Sequence, residues 1–436
     1  MASGTALSAQ QVADLRGALR AGGLPEDPGE LIALVGELET LKSAVCAVQA
    51  RASVVHDAVR RRVEAGQGVP ARRRGRGVAA EIALARKESP HRGQVLLGFA
   101  KLACAEMPHT MARLEDGTLN EWRAMLLVRE TACLGAEQRA FADEELCADP
   151  QALEGVGTRR LLAKARKLAY ELDPKAVVDR ASNAAKDRNV TLRPAPDTMT
   201  YLTALLPVAQ GVALRAALQQ AAGALIAAGD PRTRGQLMAD LLVARGTGVA
   251  MSTDGQPPAV PVAINLIMSE TTLFGGHAAA LVEEEVVPAE VARLLAAHAL
   301  SEDLHTWIRQ LYADRRGRLV AMSSKQRAFP QPLAQLLRIR DQGICRTPYC
   351  GAPIRHADHV DPVEDGGRTS AANGQGLCEA CNHAKQAPRW RQQVTDDGIE
   401  TITPTGHRYL SHAPPPVGWR EPYYVLVAPG RYQLVA

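Results

Sequence analysis

Aromatic residues make up only 4% of this 436-residue chain, with four Phe, four Trp and eight Tyr. A core built on large rings is thereby excluded, and helices packed through small side chains are favoured, in keeping with the abundance of alanine. Lysine is also scarce: arginine supplies most of the 51 basic residues, which 47 acidic ones almost cancel to leave +4. So small a net charge says little about partners. No basic and apolar signal opens the chain at Met1–Gln10, and the most apolar long stretch, Tyr201–Ala228, is broken by Gln210, Arg215, Gln219 and Gln220. A soluble, cytoplasmic protein is expected. The first three-quarters lacks a phosphate-loop glycine pattern, a catalytic spacing and an internal repeat.

What is present is enough chain for two or three domains with real cores, at 46% hydrophobic and 22% charged residues. From Asp27 to about Glu64, residues such as Leu31, Leu34, Val35, Leu38, Leu41 and Val45 recur at threes and fours, the stripe of a long amphipathic helix able to self-associate. It ends at Gly66-Gln67-Gly68 and Pro70, followed by the basic run Arg72, Arg73, Arg74 and Arg76. That run reads either as a solvated linker or as a phosphate contact. Residues from Gly77 to about Asp187 read as successive helices punctuated by Ser89-Pro90, Asp116-Gly117, Asp149-Pro150 and Asp173-Pro174, and a helix-turn-helix could fall around Val78–Met107, although such pairs are mostly packing units. Asn189–Arg193 and Met199–Leu206 read as a hairpin, Gln210–Ala228 and Arg234–Arg245 as helices, Gly246–Pro258 as a loop, Val260–Thr272 as a strand and Pro288–Leu300 as a helix. The N-terminal region is therefore expected to be mainly α with a small β-sheet.

The eight cysteines divide sharply. Cys46, Cys104, Cys133 and Cys147 stand singly in helical patterns and read as reduced core residues, whereas Cys345 and Cys350 are followed 28 residues later by the pair Cys378 and Cys381. Two close pairs let four sulfurs converge on one tetrahedral ion, and four thiolates close the shell against water, so a structural zinc is expected. Histidine is skewed the same way, with five of eleven between His356 and His412.

Between the cysteine pairs lie Asp358-His359 and Asn373, and His383 follows Cys381; the spacings are 14 residues from His359 to Asn373 and 10 from there to His383. This order resembles the HNH nuclease signature, which implies a small α+β zinc-stabilised ββα-metal domain. Were Ile354–Val360 a strand, Asp358 and His359 would point to opposite faces. Were Cys381 to open a helix, His383 would be rotated about 200° from it, away from the zinc. The resemblance implies that Asp358 and His383 hold a catalytic magnesium or manganese, that His359 is the general base, and that Asn373 braces the loop and orients His359, or binds the metal. His356 reads as a supporting residue, and Arg355, Arg346 and Lys385 as possible phosphate contacts.

The stretch Leu337-Arg338-Ile339-Arg340-Asp341, the run Cys381-Asn382-His383-Ala384-Lys385, Trp390 and Gly406-His407-Arg408-Tyr409 are similar to a large actinobacterial family with an N-terminal helical domain of unknown function before the HNH domain. Gly77–Ala85, Asp187–Pro196 and Asp230–Asp240 resemble that N-terminal domain; Arg389 departs from the glycine expected before Trp390. The expected organisation is a long N-terminal helix over 1–66, a mainly helical domain over 67–324, the HNH domain over 325–413 and a tail over 414–436 with a hairpin from Tyr423–Val427 and Arg431–Val435. From Lys325 onward, thirteen Lys and Arg face ten Asp and Glu, so affinity for nucleic acid would come from local patches. The expected function is metal-dependent hydrolysis of DNA phosphodiester bonds, with DNA the partner and the helical region a possible site of self-association. The rival reading is a zinc-stabilised nucleic-acid-binding protein that does not cleave.

Overall fold

Asp27 accepts a hydrogen bond from Glu30 N at 2.9 Å and Pro28 takes the first helical position, so the long helix starts where capping chemistry places it. The structure, a computed structural model, describes residues 6–197, 199–249, 266–282, 285–301, 328–414, 423–428 and 431–435. The helices are α1 (Ala9–Ala21), α2 (Pro28–Gly66), α3 (Val78–Arg86), α4 (Pro90–Glu106), α5 (Pro108–Glu115), α6 (Glu121–Thr131), α7 (Ala136–Cys147), α8 (Thr158–Leu172) and α9 (Pro174–Ala184). Strands β1 (Asn189–Ala195) and β2 (Met199–Leu205) precede α10 (Val208–Ala227) and α11 (Arg234–Thr247), and β3 (Leu266–Ile267), α12 (Glu270–Leu273), β4 (Ala280–Val282), β5 (Glu285–Val287) and α13 (Ala289–Ser301) follow. The C-terminal part has α14 (Gln331–Arg340), β6 (His356–His359), β7 (Gly374–Leu377), α15 (Glu379–Lys385), β8 (Arg391–Thr395), β9 (Gly398–Ile402), β10 (Arg408–Ser411), β11 (Tyr423–Ala428) and β12 (Arg431–Val435). This is the expected class, a mainly helical N-terminal region followed by a small α+β domain. Among the described residues no helix is long and apolar enough to cross a membrane.

The chain divides into two compact units, residues 1–71 with 95–177, and residues 72–94 with 178–436. The first is a helical assembly whose core uses small and aliphatic side chains: Ala47, Ala50, Ala103 and Ala165 lie among Met107, Leu114, Leu127 and Leu161. Small residues let helices approach closely, which replaces the missing aromatic bulk. Buried Asp143 of α7 accepts from His109 N at 2.7 Å and Thr110 N at 2.8 Å, satisfying the first free amides of α5 across the core. Cys46, Cys104 and Cys133 are half-buried, Cys147 is buried, and all are unlinked; burial pushes the Cys147 thiol up to about 11, as an inert core residue requires. Ile32, Val35 and Val55 of α2 remain exposed.

In the second unit, β1 and β2 form the expected hairpin, with Asn189 opposite Leu205, and β4 pairs with both β3 and β5. Of the expected strand at Val260–Thr272, only Leu266–Ile267 is strand among the described residues, and 260–265 lie outside them. The Gly246–Pro258 loop and the start of the HNH domain at 325 also fall largely outside the described residues. In the tail, β11 pairs antiparallel with β12, Tyr423 opposite Val435. The β8–β10 sheet, ordered β10-β9-β8, was not anticipated. The strands are too polar to signal themselves (Arg-Gln-Gln-Val-Thr in β8), although Asp397-Gly398, at the turn from β8 into β9, is a dipeptide common in hairpins.

The expected boundary at residue 67 also shifts. Residues 72–94 belong with the C-terminal chain because α3 packs there. Gly77, with φ 82, caps α3, and a Cβ at that position would lie 2.5 Å from Trp390 Nε1. Buried Glu81 accepts a hydrogen bond from Thr405 N at 3.1 Å. A left-handed φ costs a non-glycine residue about 1–2 kcal/mol and the clash adds to it. Gly77→Ala is therefore expected to destabilise the C-terminal unit by roughly 2–3 kcal/mol, read as a lower urea midpoint; an unchanged midpoint would count against this packing.

Candidate functional site

The hairpin of β6 and β7 carries the site, with His359 opposite Gly374 and Asp358 opposite Gln375. Period-two alternation puts these two pairs on opposite faces. On the His359 face, Gly374 lets α14 come close: a Cβ there would lie 2.7 Å from Leu337 Cδ1. On the Asp358 face lies α15, whose Lys385 Nζ is 2.7 Å from Asp358 Oδ2 and also donates to His359 O. Buried Asp341 ties the α14 end to β7, accepting from Gly376 N at 2.9 Å and from Arg340 Nε at 2.8 Å; Arg340 also donates to Ala371 O at 2.7 Å and Gly374 O at 2.9 Å.

Cys345, Cys350, Cys378 and Cys381 are buried, and their sulfurs all lie within 4.8 Å of one another. Four ligands about 2.3 Å from a tetrahedral zinc stand about 3.8 Å apart; Cys350 Sγ and Cys378 Sγ are 3.8 Å apart. The first pair sits on a loop turned by Tyr349 at φ 62, its amides tied to Ala352 O from Cys345 at 2.9 Å and to Thr347 O from Cys350 at 3.1 Å. The second pair opens α15: Cys378 is its N-cap and accepts from Cys381 N at 3.4 Å. The thiols act on one another. A hydrogen bond with Cys350 draws Cys345 down to about 7, and those from Cys345 and its neighbours hold Cys378 low, while Cys350 and Cys381 are pushed up by their bonds to Cys345. The donor set suits zinc, which would replace the shared protons with one cation.

His359 is buried; its Nε2 is 2.8 Å from Thr369 Oγ1 and its ring stacks at 43° on Phe329, centroids 4.5 Å apart. Asn373 closes the loop between the strands: its Oδ1 accepts from Asp361 N at 2.8 Å, and its Nδ2 donates to Asp361 O and Arg368 O, both at 3.0 Å. With these bonds made, the side chain is a clamp on the loop that carries Thr369 rather than a group held toward a metal. The sequence assigns no role to Thr369, in the run Asp365-Gly366-Gly367-Arg368-Thr369 before Asn373, or to Phe329, because what they do depends on the fold.

Two sequence expectations change. Arg346 is buried, donates to Ser411 O at 3.1 Å and lies 3.6 Å from Asp341; it is an internal tie, not a phosphate contact. Lys385 is committed to Asp358 and His359 O. Arg355 and His356 are exposed at the start of β6, where Arg355 remains available to phosphate.

Cys381 is the third residue of α15 rather than its first, and His383 is exposed. At about 100° per residue, His383 is about 200° around the helix from Lys385, the residue that reaches Asp358, whereas Asn382 is about 60° from it. Asn382 Oδ1 is buried and has no hydrogen-bond partner among the described residues, an unusual state for a buried acceptor. By helix geometry His383 is thus turned away from the side on which Lys385 reaches Asp358, and Asn382 lies nearer to that side. The signal was present as an amide directly after the second cysteine pair, beside a more conspicuous histidine.

A model described as a domain of unknown function, DUF222, matches residues 39–341, and one described as HNH endonuclease matches residues 345–387. No curated protein and no solved structure matches.

Proposed function

Since the chain belongs to the DUF222 family and carries an HNH endonuclease domain after the family region, we propose that it is a metal-dependent endonuclease hydrolysing DNA phosphodiester bonds. The observation that carries this reading is the coincidence, inside the HNH match, of Asp358 and His359 on one strand with the Asn373-clamped loop beside a four-thiol site. A module that only bound nucleic acid would need the zinc site and not the rest. In this reading the zinc holds the short elements together and takes no part in the reaction.

His359 accepts the proton of the attacking water on its imidazole, as a positioned general base does. Thr369 and Phe329 fix the ring, and Asn373 fixes Thr369 through the loop. Asp358 and Asn382 are the residues that fit a divalent cation, a carboxylate and a buried amide oxygen left without a donor. When bound, magnesium or manganese would supply charge stabilisation for the phosphate and the leaving 3′ oxygen. Arg355 supplies a guanidinium to the substrate backbone. The products are a 5′-phosphate and a 3′-hydroxyl.

The test is nicking of a supercoiled plasmid by the purified full chain, with magnesium, manganese and chelator arms. Metal-dependent cutting is expected; a folded, zinc-loaded protein that binds DNA and never cuts would transfer the reading to a binding module. Within the same assay, Asn382→Ala should lower the rate at least about tenfold and raise the metal concentration needed, as loss of a metal-supporting group does, while His383→Ala should change it less than about twofold. The reverse order would return the ligand role to His383. The exposed Ile32, Val35 and Val55 of α2 support self-association through that helix, which the sedimentation mass of the full chain tests directly.

A further inference from the structure

Residues 66–80 contain four arginines and no Asp or Glu, and residues 380–395 contain Lys385, Arg389 and Arg391 and again no Asp or Glu. These segments lie far apart in sequence, yet Gly77 sits against Trp390 within the second unit. Each contact residue has arginine as its immediate neighbour, Arg76 on one side and Arg389 and Arg391 on the other. One residue spans about 3.8 Å between Cα atoms, so the Gly77–Trp390 contact brings the backbones of the two basic segments close together.

The arginine turn is pinned rather than loose. It begins in a single 3-10 turn, Ala71–Arg73, bends through Gly75 at φ 76 and Gly77 at φ 82, and is continuous with α3, itself anchored by Glu81 on Thr405. Arg72, Arg73 and Arg76 are exposed, as are Arg389 and Arg391, and among the described residues none of the five makes an ion pair with a carboxylate. Like charges held together without counter-charge repel one another, a cost that a polyanion relieves. Guanidiniums bind phosphate oxygens with paired donors, and duplex DNA offers a negative charge every 1.7 Å or so along its axis.

We infer that Arg72, Arg73 and Arg76, joined to Arg389 and Arg391 through the Gly77–Trp390 contact, form a phosphate-binding rail by which the DUF222 segment holds the backbone of duplex DNA for the HNH domain. The inference rests on the nuclease reading above. It gives the family segment a function in substrate binding and explains why α3 packs with the C-terminal unit.

The test measures binding of a short DNA duplex to the full chain carrying His359→Ala, across 50–200 mM salt. Each phosphate contact contributes about 0.9 to the slope of log affinity against log salt. Changing Arg72, Arg73 and Arg76 to Gln should lower that slope by about 2–3, so that affinity falls over this range by up to roughly 40-fold less than in the parent. Changing the same three to Lys should retain the slope, and Arg389→Gln with Arg391→Gln should lower it by about 2. An unchanged slope in the Gln variant, with the wild type cutting plasmid, overturns the rail and leaves the nuclease reading standing. A Lys variant as weak as the Gln variant, with zinc content and melting unaltered, also overturns it. Failure of the parent to bind DNA and of the wild type to cut would overturn both.

Discussion

Cys381→Ser should leave the chain without its zinc and unfold the residues around it, while the first unit keeps its own transition. The apolar cluster at the site consists of the four cysteines and Leu377, with Ala352 and Ala380 packed against it. So small a cluster cannot offset the ordering of two loops, a hairpin and a short helix by hydrophobic burial alone. Structural zinc supplies on the order of 10–16 kcal/mol in small domains at neutral pH, and loss of one thiolate removes most of that. The first unit has a separate core around Met107, Leu114 and Leu161, whose cysteines form no metal-binding group among the described residues. Metal analysis should fall from one zinc per chain toward none, and protease should cut within 345–411 in the variant and in chelator-treated wild type alike. A variant that retained full zinc and resisted protease would show that the four sulfurs do not form the site.

The readable parts of this protein were those whose chemistry is local. The four clustered cysteines announce themselves because chelating loops need close pairs, and α2 was legible to within a residue or two because Asp27-Pro28 starts a helix and Gly66 ends one. Period-two alternation by itself puts Asp358 and His359 on opposite faces. What the sequence withheld depends on contacts between distant segments. Residues 72–94 follow the C-terminal chain because Gly77 admits Trp390 and Glu81 receives Thr405, pairs more than 300 residues apart that no local pattern announces. Arg346 was misread for the same reason: exposure is the default for arginine, and only the fold shows its guanidinium turned inward onto Ser411 O. Asn382 was passed over because an amide is a weaker signal than an adjacent imidazole, and its meaning comes from burial without a donor.

His359→Ala should reduce plasmid nicking by about 10²–10⁴-fold, the range over which a positioned general base contributes, with zinc content unchanged. The separation is expected because His359 lies on the α14 face of the hairpin, against Phe329 and Thr369, whereas α15 and its cysteines lie on the other. Removing the ring also opens a hole beside Phe329, which costs on the order of 1–3 kcal/mol of stability, so a fall in rate by itself would not identify a base. His359→Gln keeps much of the volume and a polar contact to Thr369 without a titrating nitrogen; it should melt near the wild type and be almost as inactive as the alanine variant. Thr369→Val keeps the base and loosens its hold, and should lower the rate less, by roughly tenfold, the scale of a lost supporting hydrogen bond. The decisive comparison is between the two variants at matched folding: both should be nearly inactive, while only the alanine variant should melt appreciably below the wild type. A glutamine variant that cut at more than about a tenth of the wild-type rate, below the smallest loss expected of a general base, would place the proton transfer elsewhere and leave His359 as packing for the loop.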